Sequence, residues 1–242
     1  MPDVEPKVAL LAGASGFAGS HVLEALLAAA DIGRVYAITR RPLGREHPRL
    51  ANRIVQMERL EAQLKGLTCH VALCCLGSSL RRAGSEEALR QVEVDHVLSV
   101  ARAAKAAQAQ RFVVLSAAGA DPRANSVSLR IKASMEEALA TVGFASLDIM
   151  QPGVLTGWRS QMGPRDVLLT AAMPVWNLLL SGAREPYRAL PVQTLAAAMV
   201  GVTRSGRRGV QRYTYSGMQA LARLKAVRPM GVAEPKTPAG VR

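Results

Sequence analysis

Short apolar runs alternate along most of the chain with longer stretches in which apolar residues recur at helical spacing. Lys7 to Ala12 (KVALLA) is the first run, closed by Gly13, and a helical pattern follows from Phe17 to Ala30. Arg34 to Thr39 (RVYAIT) predicts a second strand, and Arg53 to Met57 (RIVQM) a weaker third. Past an amphipathic stretch at Glu58 to Lys65, His70 to Leu76 predicts a fourth strand, again closed by glycine. A long alanine-rich helix is expected over Glu86 to Ala107, a fifth strand over Arg111 to Ser116, a helix over Leu129 to Val142, and a sixth strand over Ala145 to Met150. Strands alternating with helices predict an α/β fold, a doubly wound parallel sheet of Rossmann type wrapped on both faces.

Beyond Gly153 the alternation loosens. Trp158 to Arg165 reads as polar turn, Asp166 to Leu180 as an apolar helix kinked near Pro174, and Val192 to Arg204 as another helix. Ligands of open parallel sheets bind beyond the carboxyl ends of the strands, so these segments are expected to cover that crevice. The predicted organisation is a core over 1–152, a substrate-side lid over 153–224 packed on the same domain, and a flexible Pro- and Gly-rich tail over 225–242.

Composition narrows the class. At 242 residues and 49% hydrophobic content the chain can bury a full core. No apolar run reaches the roughly 18 residues of a membrane span, and MPDVEPKV shows no basic-then-apolar leader, so the expected compartment is the cytoplasm. A net charge of +13 favours anionic partners. Aromatic residues make up only 4%, which gives stacking on nucleic acid little support, and a nucleic-acid role would rest on charge alone. Three cysteines, Cys69, Cys74 and Cys75, lie near His70. Neighbours on a strand point to opposite faces, so Cys74 and Cys75 are not expected to share a metal ion, and no metal site is assigned.

The sharpest chemical signal is Gly13-Ala-Ser15-Gly16-Phe17-Ala18-Gly19, set between the first strand and the first helix. Gly13 permits a tight turn, Gly16 lets backbone N–H groups approach a pyrophosphate, and Gly19 allows close helix-to-strand packing. That context predicts dinucleotide binding. The Gly-x-Ser-x-Gly spacing of a hydrolase elbow is not met around Ser15. At the end of the second strand, where NAD binders carry an acidic residue about 20 positions on, stand Arg40 and Arg41. A guanidinium suits a 2′-phosphate, so NADP(H) is expected over NAD(H).

Several stretches together resemble the atypical short-chain dehydrogenase/reductases, in particular the Tat-interacting, oxidoreductase-like proteins and their bacterial sugar-epimerase-like relatives. They are GASGFAG (13–19), TRR (39–41), CCLGSS (74–79), AGSEEA (83–88), LSAAGAD (115–121) and QPGVL (151–155), in order over about residues 7–222. The resemblance implies a Rossmann-type NADP(H) domain with Leu76, Gly77, Ser78, Pro152 and Val154 near the cofactor and Ser116 at the end of the fifth strand. It also implies a Tyr-x-x-x-Lys pair, in which the tyrosine moves the proton at the carbinol oxygen and the lysine holds the nicotinamide ribose. Lys132 matches that lysine, and Ser128 stands at the tyrosine position. Two further departures are Gln151, where relatives carry arginine, and Met57-Glu58, where they carry an acidic-aromatic pair.

A serine hydroxyl is less acidic than a phenol and sits on a shorter side chain, so Ser128 weakens the catalytic reading while leaving cofactor binding intact. Of the four tyrosines, only Tyr187 falls in the lid region. Two functions stand open: a reductase or dehydrogenase of a small carbonyl or alcohol, with water, Tyr187 or a substrate group replacing the tyrosine, and a non-catalytic NADP(H)-sensing or scaffold protein. For the second, residues 167–180 offer an apolar surface for a protein partner or a homodimer.

Overall fold

The computed structural model describes residues 6–157 and 180–224. The turn at 158–165, nearly all of the kinked helix at 166–180, the partner surface at 167–180 and the tail at 225–242 therefore lie outside the described residues.

Seven parallel strands form one sheet in the order β3-β2-β1-β4-β5-β6-β9: β1 (Lys7–Ala12), β2 (Ile32–Thr39), β3 (Leu50–Ile54), β4 (Val71–Cys74), β5 (Arg111–Leu115), β6 (Ser146–Met150) and β9 (Gly209–Tyr213). The order reverses between β1 and β4, which pair from Ala9 with Val71 to Ala12 with Cys74. This switch point is where an open α/β sheet leaves a crevice for a ligand. A two-stranded pairing of β7 (Leu155–Thr156) with β8 (Leu190–Pro191) lies outside the sheet.

The period-2 alternation of β1 sorts the core. Ala9 and Leu11 face α1 (Phe17–Ala28) and α7 (Val192–Gly201), while Leu10 and Ala12 face α5 (His96–Ala106) and α6 (Val127–Ala140). Cys74 joins the second cluster and Cys75 the first, so the two thiols do lie on opposite faces. Burial pushes the Cys69 and Cys74 thiols up to about 12 and the Cys75 thiol higher still, which makes them inert apolar filling.

Four expectations need correction. The third strand runs Leu50–Ile54, three residues earlier than its apolar letters predict. Val55 and Met57 are buried from the turn that follows, whereas this edge strand is itself half exposed and is held by backbone pairing with β2. The long helix is interrupted by a π-helical segment at Gln91–Asp95 between α4 (Glu86–Arg90) and α5. Short helices α2 (Leu60–Gln63) and α3 (Leu80–Ala83) replace longer or unassigned stretches. Finally, the boundary at 152 does not close the core: β9 pairs along β6 from Ser146 with Gly209 to Met150 with Tyr213, and α7 packs between α1 and α8 (Tyr215–Ala222). Residues 153–224 thus supply a strand and two helices of the core as well as the lid-side turn Gly182–Tyr187. No described helix is long and apolar enough to cross a membrane.

Candidate functional site

The glycine loop sits at the switch point. Gly13 has φ +84°, a conformation that side-chain-bearing residues rarely adopt, and a Cβ there would lie 2.7 Å from the Cys75 carbonyl carbon. Its carbonyl accepts from Gly16 N–H at 3.0 Å, closing the turn into α1. A Cβ on Gly19 would overlap the Gly13 carbonyl, so the helix packs directly on the loop. No acidic side chain occupies the first turn of α1, leaving the partial positive charge of the helix N-terminus uncompensated. Ser15 is exposed, Phe17 half-buried against the His21 ring, and Ala18 buried. Backbone lying this close, with an uncompensated helix N-terminus, fits a dinucleotide diphosphate.

Arg40 and Arg41 are exposed just past β2 and bond to no other described residue. The loop that carries them is pinned by Asn52, whose side chain donates to Ala37 O and Thr39 Oγ1 and accepts from Leu43 N–H. No carboxylate stands at the end of β2.

After β4, Leu76 is half-buried, Gly77 exposed and Ser78 half-buried. Ser78 N–H donates to Glu93 Oε1 at 2.7 Å, and Glu93 Oε2 forms an ion pair with Lys132 Nζ at 2.5 Å. Lys132 Nζ also donates to Leu115 O at 2.9 Å. Glu93 lies in the π-helical segment and is 4% exposed. A single buried carboxylate therefore ties the loop after β4 to α6 and fixes the lysine at the end of β5.

One turn further along α6, Glu136 is 3% exposed and collects three donors: Ser116 Oγ at 2.6 Å and Gln151 Nε2 at 2.8 Å on Oε1, and Arg212 Nε at 2.8 Å on Oε2. The hydroxyl proton of Ser116 is thus directed at a carboxylate. Ser128 occupies the first turn of α6, half-buried, and its hydroxyl has no hydrogen-bond partner among the described residues. Pro152 is buried, its carbonyl accepting from Ala118 N–H at 2.8 Å, while Val154 is 49% exposed.

Sequence reasoning did not find Glu93 or Glu136, although both carried a readable signal. Each is a lone carboxylate on a buried helical stripe, Leu89–Glu93–Val97 and Ile131–Met135–Glu136–Leu139, where an unpaired charge is costly and so implies a partner. Tyr187, which the sequence offered beside water and a substrate group as a stand-in for the tyrosine, lies in the lid-side turn. This residue ends the Gly182–Tyr187 turn, and its backbone presses on Gly153, where a Cβ would lie 2.6 Å from the Tyr187 carbonyl carbon. A Cβ on Gly119 would lie 3.1 Å from the Tyr187 hydroxyl and 3.6 Å from Leu129 Cδ1. Among the described residues there is no cluster of His, Cys, Asp and Glu arranged to hold a metal ion.

A glycine loop at the switch point of a seven-stranded parallel sheet defines a Rossmann-like fold. Residues 13–160 match the family model described as NAD(P)H-binding. The chain belongs to this family, among its atypical short-chain dehydrogenase/reductase-like members. It is 31% identical over 201 residues to Protein HTATIP2 of Rattus norvegicus, covering 81% of each chain, and 28% identical over 170 residues to Protein fmp52, mitochondrial, of Emericella nidulans, covering 65% of this chain and 71% of that protein. Among solved structures, the UDP-N-acetylglucosamine 4-epimerase of Methanobrevibacter ruminantium in complex with UDP-N-acetylmuramic acid shares the fold at a TM-score of 0.64 and 19% identity, over 87% of this chain and 77% of that one. The Bordetella bronchiseptica enzyme WbmH in complex with NAD+ does so at 0.64 and 20%, over 86% and 76%.

Proposed function

We propose that the protein is an NADP(H)-dependent reductase or dehydrogenase of a small carbonyl or alcohol. The observation that carries this reading is the backbone cradle at Gly13, Gly16 and Gly19, with two unpartnered guanidinium groups, Arg40 and Arg41, following β2. The glycine loop and the start of α1 would hold the diphosphate, and Arg40 with Arg41 would pair with a 2′-phosphate. Leu76, Gly77, Ser78, Pro152 and Val154 would border the nicotinamide half, and Lys132, fixed by Glu93, would hold its ribose. When bound, the cofactor supplies a hydride equivalent. The NAD+ named with WbmH supports a dinucleotide in this fold without choosing between the two forms. Calorimetric titration should give a dissociation constant for NADPH at least tenfold below that for NADH, and equal affinities would remove the 2′-phosphate assignment.

A second reading, a non-catalytic NADP(H) sensor, is favoured by one specific arrangement: the Ser116 proton points at Glu136, and Ser128 stands at the tyrosine position. NADPH oxidation followed at 340 nm over a panel of aldehydes and small ketones separates the two. Turnover supports the reductase; none in the wild type, with activity gained in Ser128→Tyr, supports the sensor.

A further inference from the structure

We infer that Tyr187 is the proton donor of this site, reaching the crevice from the lid-side turn instead of from α6; the inference rests on the reductase reading above. Hydride addition to a carbonyl carbon needs a protic group at the carbonyl oxygen, and the groups at the usual positions are poorly suited to it. Ser116 Oγ donates to Glu136 at 2.6 Å, and that carboxylate is itself saturated by Gln151 and Arg212. Ser128 offers a short aliphatic hydroxyl. The other described tyrosines are placed elsewhere or engaged: Tyr213 donates to the buried Asp148 at 3.2 Å, Tyr215 accepts from Gln219 at 2.7 Å, and Tyr36 lies mid-strand in β2.

Tyr187 differs on each count. Its hydroxyl has no hydrogen-bond partner among the described residues, and the residue is 50% exposed. It lies over Gly119, three residues beyond Ser116, where the hypothetical Cβ would also touch Leu129, the neighbour of Ser128 in the first turn of α6. A phenol therefore stands beside the turn that lacks one, delivered by a different element. Its backbone is fixed there by the close approach of Gly153 and by Leu190 N–H donating to Val154 O at 2.8 Å. Glu185, two residues earlier, accepts from Ser216 N–H at 2.9 Å and anchors the turn to α8.

In the reductive direction the carbonyl carbon gains the hydride equivalent of NADPH, the carbonyl oxygen takes the Tyr187 proton, and the products are the alcohol and NADP+. The phenolate left behind recovers its proton from water, to which its half-exposed position gives access. Oxidation runs the same transfers in reverse.

Two measurements test this. The first is turnover of Tyr187→Phe on whichever carbonyl of the panel the wild type reduces, with NADPH affinity measured by fluorescence. The expected result is a loss of about 100-fold or more in kcat, with affinity unchanged. The second does not depend on activity: nitration of Tyr187 by tetranitromethane, read by mass spectrometry, should be suppressed by NADP+ and not by 2′-phospho-ADP-ribose, which lacks the nicotinamide. A wild type that turns over while Tyr187→Phe keeps its rate within threefold overturns the role of Tyr187 and leaves the reductase reading standing. Equal nitration with NADP+ and with the fragment overturns the placement of Tyr187 at the nicotinamide end. NADPH binding without turnover of any carbonyl in the wild type overturns the reductase reading, and the donor role with it.

Discussion

Gly13→Ala is the substitution whose cost is best defined by the structure. At φ +84° an alanine pays for the left-handed backbone, roughly 1–2 kcal/mol, and its Cβ would lie 2.7 Å from the Cys75 carbonyl carbon and oxygen and 2.9 Å from Leu76 N. Those contacts are backbone, so relief means moving the end of β4 or the loop, an overpacking cost of roughly 1–3 kcal/mol. The expected total is about 2–5 kcal/mol. Gly66→Ala separates the two parts: φ is +81° and nothing lies within 4 Å, so the backbone cost alone, roughly 1–2 kcal/mol, remains. In urea, with an m-value of about 2 kcal/mol per molar, Gly13→Ala should lower the midpoint by about 1–2.5 M and Gly66→Ala by a smaller amount, about 0.5–1 M. NADPH at 100 times its dissociation constant should stabilise the wild type and Gly66→Ala by about 2.7 kcal/mol and Gly13→Ala measurably less. Equal midpoints for the two variants, or full NADPH stabilisation of Gly13→Ala, would refute the cradle.

Three further outcomes are expected. Arg40→Glu should reverse the cofactor preference in calorimetry, through loss of a charge-assisted contact of roughly 1.5–3 kcal/mol and gain of a ribose acceptor; an unchanged ratio in both Arg40→Glu and Arg41→Glu removes the arginines from the site. Burial lifts the Asp148 carboxyl to about 6, against the pull of Arg111 at 2.8 Å and the Tyr213 hydroxyl. The folded state therefore holds a proton that the unfolded state releases between about pH 4 and 6. This group's contribution to stability falls as pH rises through that window, by about 3 kcal/mol, and urea unfolding of Asp148→Asn should lack that fall relative to wild type. Glu93→Gln leaves Lys132, with its side chain 13% exposed, without its carboxylate. A loss of about 3 kcal/mol is expected, partly recovered in Glu93→Gln/Lys132→Met, and additive effects of the two single changes would show that the pair is not coupled.

What was legible in the sequence follows from how each element is stabilised. Lys7–Ala12, Arg111–Leu115 and Ser146–Met150 lie inside the sheet, so their apolar runs match their bounds to within a residue. Leu50–Ile54 and Gly209–Tyr213 are edge strands held by backbone pairing, and in GVQRY only Tyr213 is buried. Nothing in their side chains announces a strand, and an arginine-rich stretch hid the seventh strand altogether. The glycine loop was legible because its constraint is local. The Ser116–Glu136 and Lys132–Glu93 contacts join residues 20 and 39 positions apart, on elements whose relative placement only the folded sheet decides.

The two buried carboxylates also bear on how binding and chemistry are divided in this molecule. Lys132 and Glu136 are four residues apart on α6, a spacing that places both on one helix face toward the carboxyl ends of β4, β5 and β6. Glu93 meets the first with an ion pair, and the second is met by Ser116, Gln151 and Arg212. Each charge under the crevice is thereby compensated without a substrate, which preorganises the floor for a cofactor and costs little when one binds. The same saturation holds the Ser116 proton away from a reacting oxygen. A reductase working at such a site would need its proton from another group, and Tyr187, with its backbone against Gly153 and its hydroxyl beside Gly119, is the one proposed above to supply it.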